Sequence, residues 1–328
     1  WFDAPIGYLA ATKEWADAGM GGGDPQADFE RWWRTDRGAD DVIYTQFMGK
    51  DNVPFHTLSF PATILGSGEP WKLVDRLKAF NWLTYYGGKF STSDQRGVFM
   101  SDALELLPAD YWRWYLMANA PESDDASFTW ELFGNAVNKD LVGTFGNLVN
   151  RTVTLVSRHF EDRVPEGGEP GAEEAALASR AGARLEEYLR NLHDLEFRKS
   201  ATSLRALWAE GNEYLQSREP WKTVKVDRDR TACTLRTALG FVVACAVASD
   251  PFVPGAAATL RDAFPGVDWP SLRLDGELLE RAALRPGGEV RPPGLLFQKL
   301  GDDQLAAWEE RFGGAEPAAT GSQGAASS

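Results

Sequence analysis

Three short stretches of this 328-residue chain combine residue types that can hold a small molecule or a phosphate group. The first is WFDAPIGY, residues 1–8. Its aromatic rings and small residues surround a proline, an arrangement that can line a narrow apolar pocket. On residue types alone, an ordinary turn between a strand and a helix is the alternative interpretation.

The second stretch is FMGKDNVPFH, residues 47–56. Gly49 follows an apolar run and precedes a helical one, so its backbone can approach a ligand at the carboxyl end of a strand. Asp51 can accept a hydrogen bond from a ribose hydroxyl or an ammonium group. His56 lies one helical turn further on and can reach the same crevice. A structural hydrogen bond is the alternative role for this histidine.

The third stretch is GGKFSTS, residues 87–93, followed by Arg96. A glycine pair, a lysine, several hydroxyls and an arginine are typical of a mobile loop that binds phosphates. Such a loop can stabilise the charge that develops on a triphosphate as pyrophosphate leaves. Many surface loops share this composition, so the stretch alone does not identify a site.

The elements that position these stretches change character along the chain. Residues 1–118 alternate short apolar runs with helical patterns, which is typical of a parallel α/β sheet. The β-rich run 42–48 ends at Gly49, and Pro54 is placed for the first turn of a helix. From Pro121 onward the pattern is helical. Two apolar helix faces are predicted by steps of three and four residues: Leu177, Ala181, Leu185, Tyr188, Leu192 and Leu195, then Leu204, Leu207, Trp208 and Leu215.

Composition narrows the class of protein. A 43% hydrophobic and 25% charged chain is typical of a soluble globular protein. The net charge of −14 argues against non-specific binding of nucleic acid, but it is compatible with a local basic patch. Cys233 and Cys245 are too few for a disulfide framework or a zinc motif, so we expect both in the core of a cytoplasmic protein. The longest apolar run, 238–248, predicts a buried helix rather than a membrane span.

Taken in order, these stretches resemble the class I aminoacyl-tRNA synthetases, and in particular the methionyl-tRNA synthetase family. The family patterns W-x-D-A-P-x-G-Y and G-K-D-x-x-x-F-H match residues 1–8 and 49–56, and its KMSKS loop corresponds to KFSTS, residues 89–93. Further similarity lies in ANAPE (118–122), FTW (128–130), NLVNR (147–151) and EPW (219–221). The resemblance covers about residues 1–260.

The resemblance implies a fold of the α/β plus all-α class. Residues 1–118 would form the second half of a Rossmann-type class I catalytic domain, including the KMSKS-like loop. Residues 119–313 would form a helical connection and an α-helical bundle that binds the anticodon. Residues 314–328, rich in Ala, Gly and Ser, would be a disordered tail.

The same resemblance implies a methionine–tRNA ligase that uses ATP and Mg²⁺, with methionine and tRNA(Met) as partners, no membrane, and a monomeric state favoured. The implied methionine-binding residues are Trp1, Ala4, Pro5, Tyr8 and His56. The implied ATP and adenylate contacts are Gly49, Asp51 and Lys89. The implied catalytic loop residues are Lys89, Ser91, Thr92, Ser93 and Arg96. The implied anticodon-binding residues are Asn147, Arg151 and Trp221.

The chain departs from the family pattern in three respects. Thr92 stands where the second lysine of KMSKS is usual. The H-x-G-H motif is absent, since the histidines are His56, His159 and His193, and the zinc-bearing insertion is absent too. We therefore expect that the N-terminal half lies upstream, that zinc belongs only to that part, and that this chain is inactive alone. A non-catalytic paralogue that binds tRNA or a protein, and a synthetase for leucine, isoleucine or valine, are the alternative readings.

Overall fold

The computed structural model describes residues 4–94 and 96–313. Trp1 and the tail 314–328 lie outside the described residues, so their predicted roles stay predictions. The chain divides into two compact units. The first contains the described residues up to Trp82 together with Pro121–Ala126, and the second contains Leu83–Ala120 and the described residues from Ser127 onward. The predicted domain limits at 118 and 313 stay predictions.

The first unit is a small α/β assembly. Its helices and strands are α1 (Ile6–Asp17), α2 (Pro25–Trp33), β1 (Thr45–Gly49), α3 (Phe60–Gly66) and β2 (Arg76–Phe80). Strand β1 pairs in parallel with β2, in a register that sets Thr45 opposite Arg76 and Gly49 opposite Phe80. Parallel neighbours need a crossover connection, and α3 lies in that crossover. The predicted strand is present but starts three residues later than its apolar run.

A wide π-type turn, Phe55–Ser59, leads directly into α3. Pro54 precedes this turn with φ −60°, so the predicted helix start after Pro54 is confirmed. The turn buries the His56 side chain, which is 7% exposed. The local sequence therefore places His56 close behind the carboxyl end of β1.

The segment 121–126 completes the first unit although it is distant in sequence. The Asn81 backbone N–H donates to the Pro121 carbonyl at 2.8 Å. The Trp82 backbone N–H donates to a carboxylate oxygen of Asp125 at 2.9 Å. Lys78 pairs with Glu122 at 2.9 Å. These bonds attach the returning segment to the end of β2.

The second unit is mainly helical. Its first elements are β3 (Leu83–Tyr85), α4 (Met100–Leu106), α5 (Ala109–Ala118), β4 (Ala126–Phe128), which pairs with β3, and α6 (Trp130–Ala136). A π-type segment, Val137–Gly146, continues into α7 (Asn147–Phe160). The remaining helices are α8 (Ala172–His193), α9 (Phe197–Arg218), α10 (Pro220–Thr223), α11 (Arg228–Ser249), α12 (Pro254–Ala263), α13 (Leu278–Arg281) and α14 (Asp302–Arg311).

Helices α8 and α9 form an antiparallel pair, because Glu174 bonds to Tyr214 while Asn191 bonds to Ser203. The predicted apolar faces are confirmed for the residues that these helices bury: Leu177, Ala181, Leu185 and Tyr188 on α8, and Leu204, Leu207, Trp208 and Leu215 on α9. Leu195 lies just past α8 with a positive φ of 60°, outside the predicted helix face. The Trp208 indole N–H donates to the Ser249 hydroxyl at 3.0 Å, which joins α9 to α11.

Helix α11 is the central helix of the second unit. Among the described residues it is the one helix long and apolar enough to cross a membrane by length and composition, yet 83% of that apolar window is buried within the protein. It is therefore a core helix, as its apolar run predicts. Cys233 and Cys245 are both buried free thiols on it, which confirms their predicted core position.

Candidate functional site

A pocket of about 290 Å³ opens in the first unit at the carboxyl end of β1. It is lined by Ala4, Pro5, Tyr8, Phe47, Met48, Asn52, Phe55 and His56. The geometry brings together four of the five residues predicted to bind methionine. Trp1, the fifth, lies outside the described residues.

Two hydrogen bonds fix the His56 ring in this pocket. Its Nδ1 lies 2.8 Å from the Asn52 carbonyl oxygen, and its Nε2 lies 2.8 Å from the Tyr8 hydroxyl. Because a carbonyl can only accept, Nδ1 must carry the proton, and Nε2 of the neutral ring is then an acceptor. The Tyr8 hydroxyl must donate to it. The Tyr8 oxygen therefore offers lone pairs to the pocket, and neither group directs a free N–H or O–H at a ligand.

Four lining residues were not found from the sequence: Phe47, Met48, Asn52 and Phe55. Two signals in the sequence point to them. Phe47 and Met48 stand at the carboxyl end of a strand, where ligands of parallel sheets bind. Asn52 stands four residues before His56, so a helical turn stacks the two positions. Among the described residues that line the pocket, Asn52 is the only one with an amide side chain.

A second polar pair lies on β1 and the residue before it. The Gln46 amide donates to the Tyr44 hydroxyl at 2.7 Å. Burial raises the pKa of Tyr44 to about 12, against the opposing effect of the Gln46 bond. Gln46 is only 4% exposed. Neither residue lines the pocket, and the Tyr44 hydroxyl makes no contact with His56 comparable to that of Tyr8.

Gly49 ends β1 in an extended conformation, and the following turn brings the Asp51 carboxylate against it. A Cβ at residue 49 would lie 2.8 Å from an Asp51 carboxylate oxygen. A side chain at residue 49 would therefore displace the exposed Asp51 carboxylate. Next to them, Lys50 pairs with Asp125 at 2.8 Å, and this hydrogen bond lowers the pKa of the Asp125 carboxyl. Asp51 itself is exposed.

The KFSTS stretch belongs to the second unit, where it follows a tight turn. Gly87 has a φ of 74°, a conformation that favours glycine, and its N–H donates to the Ser127 hydroxyl at 3.0 Å. Ser91 donates its hydroxyl to Asp94 at 2.8 Å. Lys89 and Thr92 are exposed, and within residues 4–94 and 96–313 the Lys89 ammonium has no ion-pair partner.

Arg96 points back onto the turn instead of outward. Its guanidinium donates to the Tyr85 carbonyl at 2.9 Å and lies 5.8 Å from the centre of the Tyr85 ring. A Cβ on Gly88 would lie 3.0 Å from the same guanidinium, so this glycine makes room for it. In this position Arg96 holds the base of the loop, while its predicted contact with phosphates stays a prediction.

The residues predicted to bind the anticodon come together in the second unit. Asn147 and Arg151 lie one turn apart on α7, and the Arg151 guanidinium lies 5.0 Å from the centre of the Trp221 ring. The Asn147 amide donates to the Asn212 side chain at 2.9 Å. Arg151 also contacts Gln216 at 3.4 Å. A cation over an indole face is attractive, so the two side chains hold each other in place.

A buried carboxylate anchors the end of α9, from which Trp221 follows. Glu174 accepts from the Tyr214 hydroxyl at 2.6 Å and from the Gly171 N–H at 2.8 Å, and it pairs with Arg218 at 3.3 Å. Burial by itself raises the pKa of Glu174, but these hydrogen bonds and the Arg218 charge outweigh it, so the pKa is lowered. Glu219, with a φ of 47°, then turns the chain into α10.

Within the part of the chain that the structure describes, no group of three or more His, Cys, Asp or Glu side chains could hold a metal ion.

Comparisons with known proteins agree with this arrangement. A family model described as class I tRNA synthetases (M) matches residues 1–153, and one described as the anticodon binding domain of methionyl tRNA ligase matches residues 164–317. The methionine–tRNA ligases of Caulobacter vibrioides and Maricaulis maris are similar to it, with 56% and 55% identity over 96% and 97% of this chain. In both cases the chain spans 55% of the relative's length.

Solved structures of methionyl-tRNA synthetase from Mycobacterium tuberculosis share the fold. The form bound by methionyl-adenylate has a TM-score of 0.68 at 25% identity, over 83% of this chain and 51% of that chain. The free form has a TM-score of 0.69 at 24% identity, over 84% and 51%. A class I catalytic fragment precedes a helical anticodon-binding part in this chain. The chain belongs to the methionyl-tRNA synthetase family of class I aminoacyl-tRNA synthetases.

Proposed function

We propose that this protein acts as a methionine–tRNA ligase, which activates methionine with ATP to methionyl-adenylate and transfers the methionyl group to tRNA(Met). The observation that carries the proposal is the pocket in which Tyr8 and His56 enclose an apolar cavity behind β1. Further support comes from relatives in which more than half of the aligned residues are identical, and which are named methionine–tRNA ligases.

Methionine would insert its side chain between Ala4, Pro5, Tyr8 and His56, with Trp1 as a further contact. A thioether is polarizable and packs well against aromatic edges. Since Tyr8 donates its proton to His56 and His56 donates its own to the Asn52 carbonyl, sulfur would be recognised by shape and polarizability. A methylene alone discriminates by about 1–3 kcal/mol, so the fit of the cavity matters for selection.

Gly49 and Asp51 would contact the adenylate part of ATP, and the loop residues would contact its phosphates. A methionine carboxylate oxygen attacks the α-phosphorus, and the bond to pyrophosphate breaks. The Lys89 ammonium and the hydroxyls of Ser91, Thr92 and Ser93 would stabilise the charge on the leaving pyrophosphate. Arg96 would keep the loop in place. Mg²⁺ would arrive with the nucleotide, because it is usually held by phosphates and few carboxylates.

Asn147, Arg151 and Trp221 would read the CAU anticodon of tRNA(Met). Loop bases are recognised when they are splayed onto aromatic planes and bonded along their edges. Stacking on Trp221 would contribute about 1–3 kcal/mol per base. Arg151 already orients the indole, which reduces the entropy lost on binding. We further propose a monomer in the cytoplasm, where the free thiols of Cys233 and Cys245 remain reduced.

The direct test is ATP–pyrophosphate exchange by the full-length gene product with methionine or leucine. We expect exchange that depends on methionine. Exchange with leucine but not with methionine would contradict the proposed specificity, and no exchange with either would contradict the proposed activity.

A further inference from the structure

The exposed face of α7 carries positive charge and no negative charge. Arg151 and Arg158 are seven residues apart, so they lie on one face, about 10 Å apart along the helix axis. Between Asn147 and Phe160 there is no Asp or Glu. In a chain with a net charge of −14, such a face is a local exception.

The segment 221–228 runs beside this face. At one end, Trp221 lies under the Arg151 guanidinium at 5.0 Å. At the other end, Arg228 donates to the His159 carbonyl at 3.0 Å and lies 4.7 Å from the centre of the Phe160 ring. Lys225 lies between these two contacts along the chain and is exposed. We name Arg151, Arg158, Lys225 and Arg228 the basic strip.

Two acidic residues near the strip, Glu219 and Asp227, are already engaged. Glu219 pairs with Lys222 at 2.6 Å. Asp227 accepts from the backbone N–H of Arg230 at 2.9 Å as the cap of α11. Among the described residues, the side chains of Arg158 and Lys225 have neither an ion-pair partner nor a hydrogen bond. Two unneutralised cations therefore face solvent next to the Arg151–Trp221 pair.

We propose that the basic strip binds the phosphate backbone of the RNA strand that flanks the bases stacked at Trp221. The proposal rests on the proposed anticodon reading by Asn147, Arg151 and Trp221. Phosphate contacts position a nucleic acid without reading its sequence, whereas contacts with base edges and faces specify it. Arg158 and Lys225 thus contribute affinity for any tRNA, and the Arg151–Trp221 pair contributes the choice among tRNAs.

The test is binding of two transcripts to the full-length gene product at several salt concentrations. One is a tRNA with a CAU anticodon, and the other is the same tRNA with a changed anticodon. Each lost phosphate contact lowers the slope of log K against log salt by about 0.7–0.9. The double variant Arg158→Ala/Lys225→Ala should therefore weaken binding of both transcripts about 20-fold at 0.15 M salt and about 7-fold at 0.3 M. The ratio between the two transcripts should not change.

The matched control removes two positive charges from the opposite end of the α8–α9 pair. Arg190 and Lys199 are exposed there, and the 22-residue α9 separates Lys199 from Trp221 by about 30 Å. The double variant Arg190→Ala/Lys199→Ala should leave both affinities and the salt slope unchanged. An equal effect of both double variants would overturn the proposal, because the loss of net positive charge would then be sufficient to explain the weaker binding.

Two further results separate this inference from the anticodon proposal. If Arg158→Ala/Lys225→Ala leaves the salt slope unchanged, the strip does not contact phosphates and is available for another partner, such as an acidic protein. If Trp221→Ala leaves the ratio between the two transcripts unchanged, the anticodon proposal fails, and the slope still decides the role of the strip. A loss restricted to the CAU transcript in the strip variant would also overturn the inference, since phosphate contacts are independent of sequence.

Discussion

The Tyr8 hydroxyl has a defined partner, so its removal has a calculable effect. In Tyr8→Phe the aromatic ring remains, but Nε2 of His56 loses the donor that lies 2.8 Å away. In the empty pocket, water can replace that donor. In the occupied pocket a methionine side chain excludes water, and His56, 7% exposed, keeps an unpaired acceptor. An unsatisfied buried group costs about 1–3 kcal/mol, so the KM for methionine should rise about 5- to 150-fold.

The assay is methionine-dependent ATP–pyrophosphate exchange by the full-length product. Tyr44→Phe is the matched control, because it also removes a phenol hydroxyl from the first unit but one that bonds to Gln46. Its KM for methionine should stay near the wild-type value. An unchanged KM in Tyr8→Phe would refute the link between the hydroxyl and the occupied pocket.

A second measurement tests the proton positions themselves. Norleucine has a methylene where methionine has sulfur. Because Tyr8 donates to His56 and not to the ligand, Tyr8→Phe should weaken both amino acids by the same factor. If the preference for methionine over norleucine falls in Tyr8→Phe, the hydroxyl donates to sulfur and the assignment of His56 Nε2 as its acceptor is wrong.

Four other substitutions have expected outcomes. Trp221→Ala should lower aminoacylation of tRNA strongly, because about 1–3 kcal/mol of base stacking is lost, while pyrophosphate exchange stays nearly intact. Equal losses in both assays would show that Trp221 is structural. Lys89→Ala should lower the kcat of pyrophosphate exchange about 100-fold with little change in KM. Thr92→Lys should raise the same kcat about tenfold. An unchanged kcat in both variants would show that the loop takes no part in the reaction. Glu174→Gln should lower the free energy of unfolding by about 3 kcal/mol near pH 7, because Arg218 and the Tyr214 hydroxyl lose a charged partner. The pKa of Glu174 in the folded protein lies below its ordinary value of 4.5. The difference in unfolding free energy between wild type and variant is therefore complete above about pH 4.5 and disappears as the pH falls through the folded pKa. Chemical denaturation at several pH values measures this difference.

Local patterns in the sequence were sufficient for α8, α9 and α11 of the second unit. The spacing of Leu177, Ala181 and Leu185 is the period of a helix with one buried side, and the structure buries those residues. The glycine at the end of β1 and the histidine after Pro54 were also identified from their position between a strand and a helix. These features depend on neighbours only a few residues apart, so a single sequence contains the required information.

Features that depend on distant residues were not visible in this way. The contact of Arg96 with the Tyr85 carbonyl depends on how a turn folds back, and the sequence indicated only a role for Arg96 in a phosphate-binding loop. The proton position on His56 depends on a carbonyl and a hydroxyl from two separate elements. The buried Glu174 combines α8, α9 and the Gly171 N–H, and its neighbours in sequence give no sign that it is buried.

The return of residues 121–126 to β2 has a consequence for biosynthesis. Asn81 and Trp82 obtain their partners from Pro121 and Asp125, so the first unit is incomplete when residue 82 leaves the ribosome. About 40 further residues must follow, which takes about 2–8 s at 5–20 residues per second. During this interval the backbone N–H groups of Asn81 and Trp82 lack the acceptors that they have in the folded protein. Cotranslational folding of the first unit therefore waits for a segment that is synthesised after part of the second.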